Sequence, residues 1–301
     1  MKKFFLLAAA LSFCCIFNLQ AQILYRISGN GLNSASYIVG TYHLAPASFA
    51  DSIPGLRQAL DETNQVCGEL DMMDALKPEN VARMQQMLIL PEGVTLSSLL
   101  TDDQLDRLNA VLLKVMGSNF ENETFASQME KMTPVALTTS LTLACYSKEN
   151  KSFNPLELLD SYFQNVALMN GKTVLGFETV DFQAEILYNQ PLPKQVEGLM
   201  CLVDNIDAST EITKRITDAF FSQDLQQIEA VMEEESNMDC ASSPEDEDVL
   251  INNRNHNWVE MMPKMMAEQP TFFAVGAAHL CGEQGVLKLL ECLGYTIEGV
   301  K

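Results

Sequence analysis

Basic residues and histidine are scarce in this chain of 301 residues. The sequence holds 19 Lys and Arg against 40 Asp and Glu, a formal net charge of -21, and 3 His. Phosphate backbones are bound by a surplus of Lys and Arg, so this balance argues against nucleic acid, and anionic membrane surfaces are disfavoured on the same ground. Charged residues make up only 20% of the chain and hydrophobic ones 47%, which speaks against a disordered segment and for a globular fold. No CxxC pair occurs beyond residue 21, so neither a thiolate zinc site nor a thioredoxin-like motif is expected. Beyond the same point no run of 18 apolar residues appears, and no integral membrane segment is expected in the mature chain.

What is present begins with a segment to set aside. Lys2 and Lys3 precede a nearly unbroken apolar run from Phe4 to Phe17, and Leu19-Gln20-Ala21 offers a cleavage site before Gln22. Residues 1–21 read as a secretory signal peptide, so the protein is expected to be exported, periplasmic or secreted. Cys14 and Cys15 raise lipidation as a second reading, disfavoured because Phe13 stands where a small residue is expected. Cys67, Cys145, Cys201, Cys240, Cys281 and Cys292 remain. In an exported chain some are expected as disulfides, and buried free thiols fit equally well.

Residues 22–301 read as one α/β domain. Ile23 to Ile27 and Ser36 to Gly40 are short apolar or β-branched runs joined by a turn-rich Ser28 to Ser34, which predicts a hairpin. Gln65 to Leu70, Lys172 to Phe177, Thr271 to Gly276 and Tyr295 to Val300 are further strand candidates. Pro54 to Glu62, the stretch from about 77 to 168, Asp181 to Glu235 with a break at Pro191 and Pro193, and Gly282 to Leu293 read as helical. Thr101-Asp-Asp-Gln104 has the form of a capping box, and Gly117 is a suitable stop for the helix it opens. Glu233 to Asp248 carries eight acids and no Lys or Arg and is expected to be a solvated loop. The resulting architecture is a central mixed β-sheet built from both chain ends, with flanking helices and a large helical insertion over about 77–168.

Two of the three histidines stand in matching contexts. Tyr37-Ile-Val-Gly-Thr-Tyr-His43-Leu can be laid over Phe273-Ala-Val-Gly-Ala-Ala-His279-Leu, with Val-Gly-x-x-His-Leu in common. Each His follows an apolar strand, where ligands bind in α/β sheets. Gly40 and Gly276 are expected to let the chain turn sharply and another group come close. One such motif is weak evidence, since a lone His is usually a surface or satisfied core residue. Two copies suggest a duplication that brings two imidazoles into one cleft.

A catalytic metal site takes a third protein ligand. Val66-Cys-Gly-Glu69-Leu-Asp71 offers Glu69 at a strand end, with Asp71 better read as a helix N-cap or a solvated loop residue, and Leu175-Gly-Phe-Glu178 offers a second carboxylate. Two histidines and one carboxylate suit Mn, Fe, Co or Zn, and a further acid can serve as base toward a bound water. Arg254 and Asn255 are candidate donors to an oxyanion, although a surface helix with ordinary polar residues is the simpler reading of that stretch. His256 lacks the glycine context and is left out.

Gly-Thr-Tyr-His43, Gly-Glu69-Leu-Asp, Leu-Gly-Phe-Glu178-Thr with Gln183, Arg254-Asn255 with Trp258, and Val-Gly-Ala-Ala-His279-Leu followed by Gly282-Glu-Gln-Gly285-Val together resemble the TraB/GumN family over nearly the whole mature chain. The resemblance implies a fold related to erythromycin-esterase and haem-binding ChaN-like proteins, with a site between two pseudo-repeats. It implies relatedness to the membrane-anchored animal Tiki metalloproteases, which depend on manganese or cobalt and trim Wnt peptides. It implies that His43, His279 and Glu69 are the essential residues. The expected departure lies in anchoring and substrate.

Two expectations follow. In the first, His43, His279 and Glu69 hold a divalent Mn, Co or Zn, Glu178 helps to deprotonate a bound water, Arg254 or Asn255 steadies the oxyanion, and the substrate is a peptide or protein. In the second, the same histidines hold haem, metal or peptide without turnover.

Overall fold

Alternating side chains make the six strands two-faced. The structure is a computed structural model that describes residues 22–236 and 243–301. The expected signal peptide and the middle of the acidic stretch lie outside the described residues. The strands are β1 (Leu24–Gly29), β2 (Ser36–Thr41), β3 (Gln65–Leu70), β4 (Thr173–Glu178), β5 (Thr271–Gly276) and β6 (Tyr295–Gly299). They form one sheet in the order β4-β3-β5-β2-β1-β6. Strands β4, β3, β5 and β2 run parallel, and β1 is antiparallel to both β2 and β6. The mixed sheet built from both chain ends is as expected, and so is the β1–β2 hairpin.

The period of two divides the core. Tyr37, Val39, Val66, Phe272 and Ala274 join Leu159, Phe163, Ala167 and Phe220 on one face. Ile38, Cys67, Phe273 and Val275 join Trp258, Met262, Met266, Val286 and Leu290 on the other. Parallel strands need cover on both faces because their connections are helical crossovers. The helices Leu159–Met169 and Asn253–Glu268 supply much of it.

A third apolar cluster belongs to helices alone. Leu96, Leu108, Leu112, Leu137 and Leu141 meet Leu199, Val203 and Ile206. This helical core thus draws on two stretches of chain, one before β4 and one after it. Leu159–Met169, within the stretch read as an insertion, packs on the sheet instead. The helix Asp102–Met116 starts at the expected capping box and stops at Gly117 in the left-handed region. The acidic stretch is helical at both described ends: Leu225–Ser236 runs into it, and Pro244–Glu247 with a π-helical turn Asp248–Asn252 leads out. Ser243 caps that exit with Asp246 in a capping box, so local capping overrides the loop expected from charge alone. Cys201 is disulfide-bonded, whereas Cys67, Cys145, Cys281 and Cys292 are free thiols. Among the described residues no helix is long and apolar enough to cross a membrane.

Because β2, β3, β4 and β5 are parallel, their C-terminal ends share one edge. His43 follows β2, Glu69 lies near the end of β3, Glu178 ends β4, and His279 follows β5. Thr41 pairs with Gly276 and Leu70 with Glu178, so all four candidates emerge at one level of the sheet.

Candidate active site

The centre of this edge is a buried guanidinium. Arg254 donates from Nε to Glu178 Oε1 at 2.8 Å, and from Nη2 to Glu178 Oε2 at 2.9 Å and to Glu69 Oε2 at 2.6 Å. Its Nη1 donates to the Leu250 carbonyl at 2.9 Å and lies 3.2 Å from His279 Nε2. The π-helical turn before Asn253 presents that carbonyl. Arg254 also lies over the Trp258 ring, 4.9 Å from its centroid. The ordinary surface helix that was the simpler sequence reading is therefore corrected. Arg254, Asn255 and Trp258 are all buried, because their shared helix face turns to the sheet.

Glu178 is fully engaged. Oε1 accepts from Arg254 Nε and from Trp258 Nε1 at 2.9 Å, and Oε2 accepts from Arg254 Nη2 and from Gln183 Nε2 at 2.9 Å. Glu69 is more open. Oε2 takes Arg254 and Gln183, while Oε1 accepts the Gly276 N–H at 2.8 Å and faces His279 Nε2 at 3.9 Å, too long for a hydrogen bond. Burial disfavours the Glu69 carboxylate, but the charges of His279, Arg254 and His43 and the Gly276 N–H outweigh it and hold its pKa below the usual range.

The two histidines are in opposite states. Asn255 donates from Nδ2 to the Gln284 carbonyl at 2.8 Å, so its Oδ1, 2.7 Å from His279 Nδ1, accepts a proton held there. The Nε2 lone pair then faces Arg254 and Glu69. Burial lowers the His279 pKa to about 4, and the ring is neutral near pH 7. Its ring packs against Trp258 at 4.4 Å, and Trp258 in turn stacks on Phe177. His43 is 72% exposed, and its Nδ1 lies 3.0 Å from Asp160 Oδ2. That hydrogen bond and the Asp160 charge raise its pKa to about 9. Thr41 donates to the other Asp160 oxygen. His43 also experiences the charges of Glu69 and Arg254, and His279 that of His43.

Gly40 and Gly276 serve as close-approach positions rather than turns, since neither has a positive φ. A Cβ on Gly40 would sit 3.1 Å from Ala277 Cα, and one on Gly276 would sit 3.3 Å from Glu69 Oε1. The two GxxH segments therefore touch. Asp71 caps the helix Met72–Ala75 by accepting from Met73 and Asp74, one of the two simpler readings of this residue. His256 is held outside the cluster by Gln284.

Asp160 is the residue the sequence reading missed. It lies in the first turn of Leu159–Met169 with no motif around it, and only the fold brings it to His43. Gln183 was noted as part of a motif, and its bridging of the two glutamates was not foreseen.

A divalent cation fits the donors in kind. The His279 lone pair and Glu69 Oε1 face one another at 3.9 Å, and the Asn255 and Asp160 contacts resemble the outer partners that orient metal-bound histidines. Three features stand apart from that fit. Arg254 Nη1 already lies against the His279 lone pair. Among the described residues no three His, Cys, Asp or Glu groups are drawn together as a metal site, and no buried side-chain polar atom is left unpartnered.

The model of the TraB/PrgY/gumN family matches residues 23–299. No curated protein and no solved structure matches the chain.

Proposed function

Since this chain belongs to the TraB/PrgY/gumN family, we propose that it is a hydrolase of peptide bonds that works with a divalent Mn, Co or Zn. The observation that carries the reading is the facing pair Glu69 Oε1 and His279 Nε2, 3.9 Å apart, on the strand edge that also presents His43. His43, Glu69 and His279 are the residues that would hold the ion. When bound, such an ion supplies Lewis acidity to a water and to a carbonyl oxygen.

The remaining residues position these three. Asn255 fixes the His279 tautomer, and Asp160 with Thr41 orients His43. Glu178 was expected as a base. With four donors on its two oxygens we assign it instead to holding Arg254 and Trp258. Asn255 spends Oδ1 and one of its two Nδ2 hydrogens on His279 and Gln284, and we assign it to positioning. All five N–H groups of Arg254 already face Glu178, Glu69, the Leu250 carbonyl or His279, so of the oxyanion role expected of Arg254 we keep only its charge. Its buried charge beside His279 favours negative charge developing on a substrate oxygen. We also infer export. Residues 1–21 read as a signal peptide, and the disulfide-bonded Cys201 suits an oxidising compartment.

The test is peptide hydrolysis by chelator-stripped protein with and without added Mn, Co or Zn, alongside His43→Ala and His279→Ala. The expected result is metal-dependent cleavage that falls at least about 100-fold in either variant. Cleavage unchanged by chelator and by both substitutions overturns the reading.

One observation favours a second reading, a non-catalytic haem-, metal- or peptide-binding protein. Arg254 lies against the His279 lone pair and leaves the exposed His43 as the open imidazole. A Soret band on haem titration that is lost in His43→Ala, with no peptide cleavage, supports it.

A further inference from the structure

The His279 imidazole is claimed at both of its nitrogens. Nδ1 holds its proton against Asn255 Oδ1 at 2.7 Å, so Nε2 carries no proton and offers a single lone pair. Arg254 Nη1 lies 3.2 Å from Nε2, and on a neutral ring this contact is an N–H donated into that lone pair. A guanidinium stays charged at any ordinary pH. The lone pair can therefore serve Arg254 or a metal ion, one at a time. The exchange between them is the movement of a side chain rather than the loss of a proton.

The rest of Arg254 is anchored elsewhere. Nε and Nη2 are held by Glu178 at 2.8 and 2.9 Å, Nη2 also by Glu69 at 2.6 Å, and Nη1 has a second acceptor in the Leu250 carbonyl at 2.9 Å. The contact with His279, at 3.2 Å, is the longest of the five. Giving it up leaves the other four in place. On Glu69 the guanidinium takes Oε2, while Oε1 stays with the Gly276 N–H on the side of His279. Charge points the same way. Glu69 and Glu178 carry two negative charges and Arg254 one positive, on side chains only 14%, 7% and 7% exposed. The guanidinium supplies the counter-charge that such buried carboxylates require. A dication brought to Glu69 and His279 meets that positive charge at close range, where little water screens it.

We propose that Arg254 is a resident counter-ion that competes with a divalent cation for His279 Nε2 and the Glu69 carboxylate, so that the metal affinity of the site is set by the displacement of Nη1. The proposal deepens the hydrolase reading and rests on its assignment of Glu69 and His279 to the ion. The experiment is isothermal titration of chelator-stripped protein with Zn²⁺ and with Mn²⁺, comparing the unaltered chain with Arg254→Met/Glu178→Leu. That change removes one positive and one negative charge. The net charge of the site stays the same, and a gain in affinity reports the loss of the competitor rather than a more negative site. The expected result is that at least one ion binds the paired variant about tenfold or more tightly, the equivalent of one hydrogen bond from a charged group. Adding His279→Ala to the paired variant should abolish the gain. Circular dichroism confirms that each protein is folded, and Arg254→Gln/Glu178→Gln, which keeps the same charge sum, serves if the first pair does not fold. Tighter binding in the paired variant with no metal-dependent cleavage by the unaltered protein sinks the hydrolase reading and sustains the competition. Equal or weaker binding of both ions in the paired variant, or a gain that survives His279→Ala, overturns the competition even where the unaltered protein cleaves peptides. Binding of neither ion by any of these proteins overturns the competition together with the metal assignment beneath it.

Discussion

Arg254 and Glu178 meet through two parallel hydrogen bonds, Nε to Oε1 at 2.8 Å and Nη2 to Oε2 at 2.9 Å, with each side chain only 7% exposed. Charge-assisted pairs of this form are strong, and they are costly to break from one side because the other charge is left buried. Glu178→Ala is expected to lower the free energy of urea unfolding by about 3 to 5 kcal/mol. The double change Arg254→Met/Glu178→Leu removes both charges, so its cost is expected to fall well short of the two single costs added together. A loss below about 0.5 kcal/mol for Glu178→Ala, the range of surface changes, contradicts a buried pair.

His279 makes the fold sensitive to acid. Its pKa is lowered to about 4 from an unfolded value of 6.5, so the unfolded chain takes up this proton first as pH falls. The stability it contributes is present above pH 6.5 and is lost as pH falls through about 4, an effect on the order of 3 kcal/mol. Unfolding curves for His279→Gln should be flatter across that window than those of the unaltered protein. An imidazole Cε1–H resonance of His279 that titrates near 6.5 rules the assignment out.

His43 works with the opposite sign. Asp160 raises its pKa to about 9, so the contribution is complete below the unfolded value of 6.5 and is lost as pH rises through about 9. Its exposure lets solvent screen the pair, and the energy should be smaller than the shift suggests. Asp160→Asn is expected to bring the His43 titration back toward 6.5 by NMR while leaving that of His279 nearly unchanged. Retention of the high value in Asp160→Asn shows that Asp160 is not its cause.

The strands and the two GxxH segments were legible because their signals are local. Strand β5 was read to the residue from an apolar run closed by Gly276, and Asp102–Met116 from a capping box and a glycine stop. What the sequence hid are relationships between distant parts of the chain. Asp160 carries no pattern of its own, and its role arises only when Leu159–Met169 packs on β3, β4 and β5 and brings Asp160 to Thr41 and His43. Arg254 read as a surface residue because its helix looks polar in sequence. Its neutralising partners, Glu69 and Glu178, come from β3 and β4, and a buried charge is legible only once its counter-charge is in view. The roles expected of Glu178 as a base and of Asn255 as an oxyanion donor rest on residue type, which does not tell how many of their hydrogen bonds the fold already uses.

Three glycines separate crowding from freedom. Gly40 packs against Ala277 and Leu280, with 3.1 Å left for a Cβ, and Gly176 would place a Cβ 2.4 Å from the Asp71 nitrogen, whereas Gly198 has nothing within 4 Å. Gly198 lies exposed inside the helix Leu192–Asp204, so Gly198→Ala should stabilise by about 0.5 to 1 kcal/mol through helix propensity. Gly40→Ala presses on the backbone that leads to His279 and should cost about 1 to 3 kcal/mol, as overpacking does. Gly176→Ala meets the backbone at the end of β3, which cannot swing aside as a side chain can, and should cost more than Gly40→Ala. Because Ala277 carries the chain into the second GxxH segment, the Gly40 change should also, on the proposed hydrolase reading, lower peptide cleavage more than its stability loss explains at temperatures where the variant is fully folded. Thermal unfolding beside kcat/KM checks both, and a Gly40→Ala protein as stable and as active as the unaltered one means that the two histidine loops do not depend on this contact.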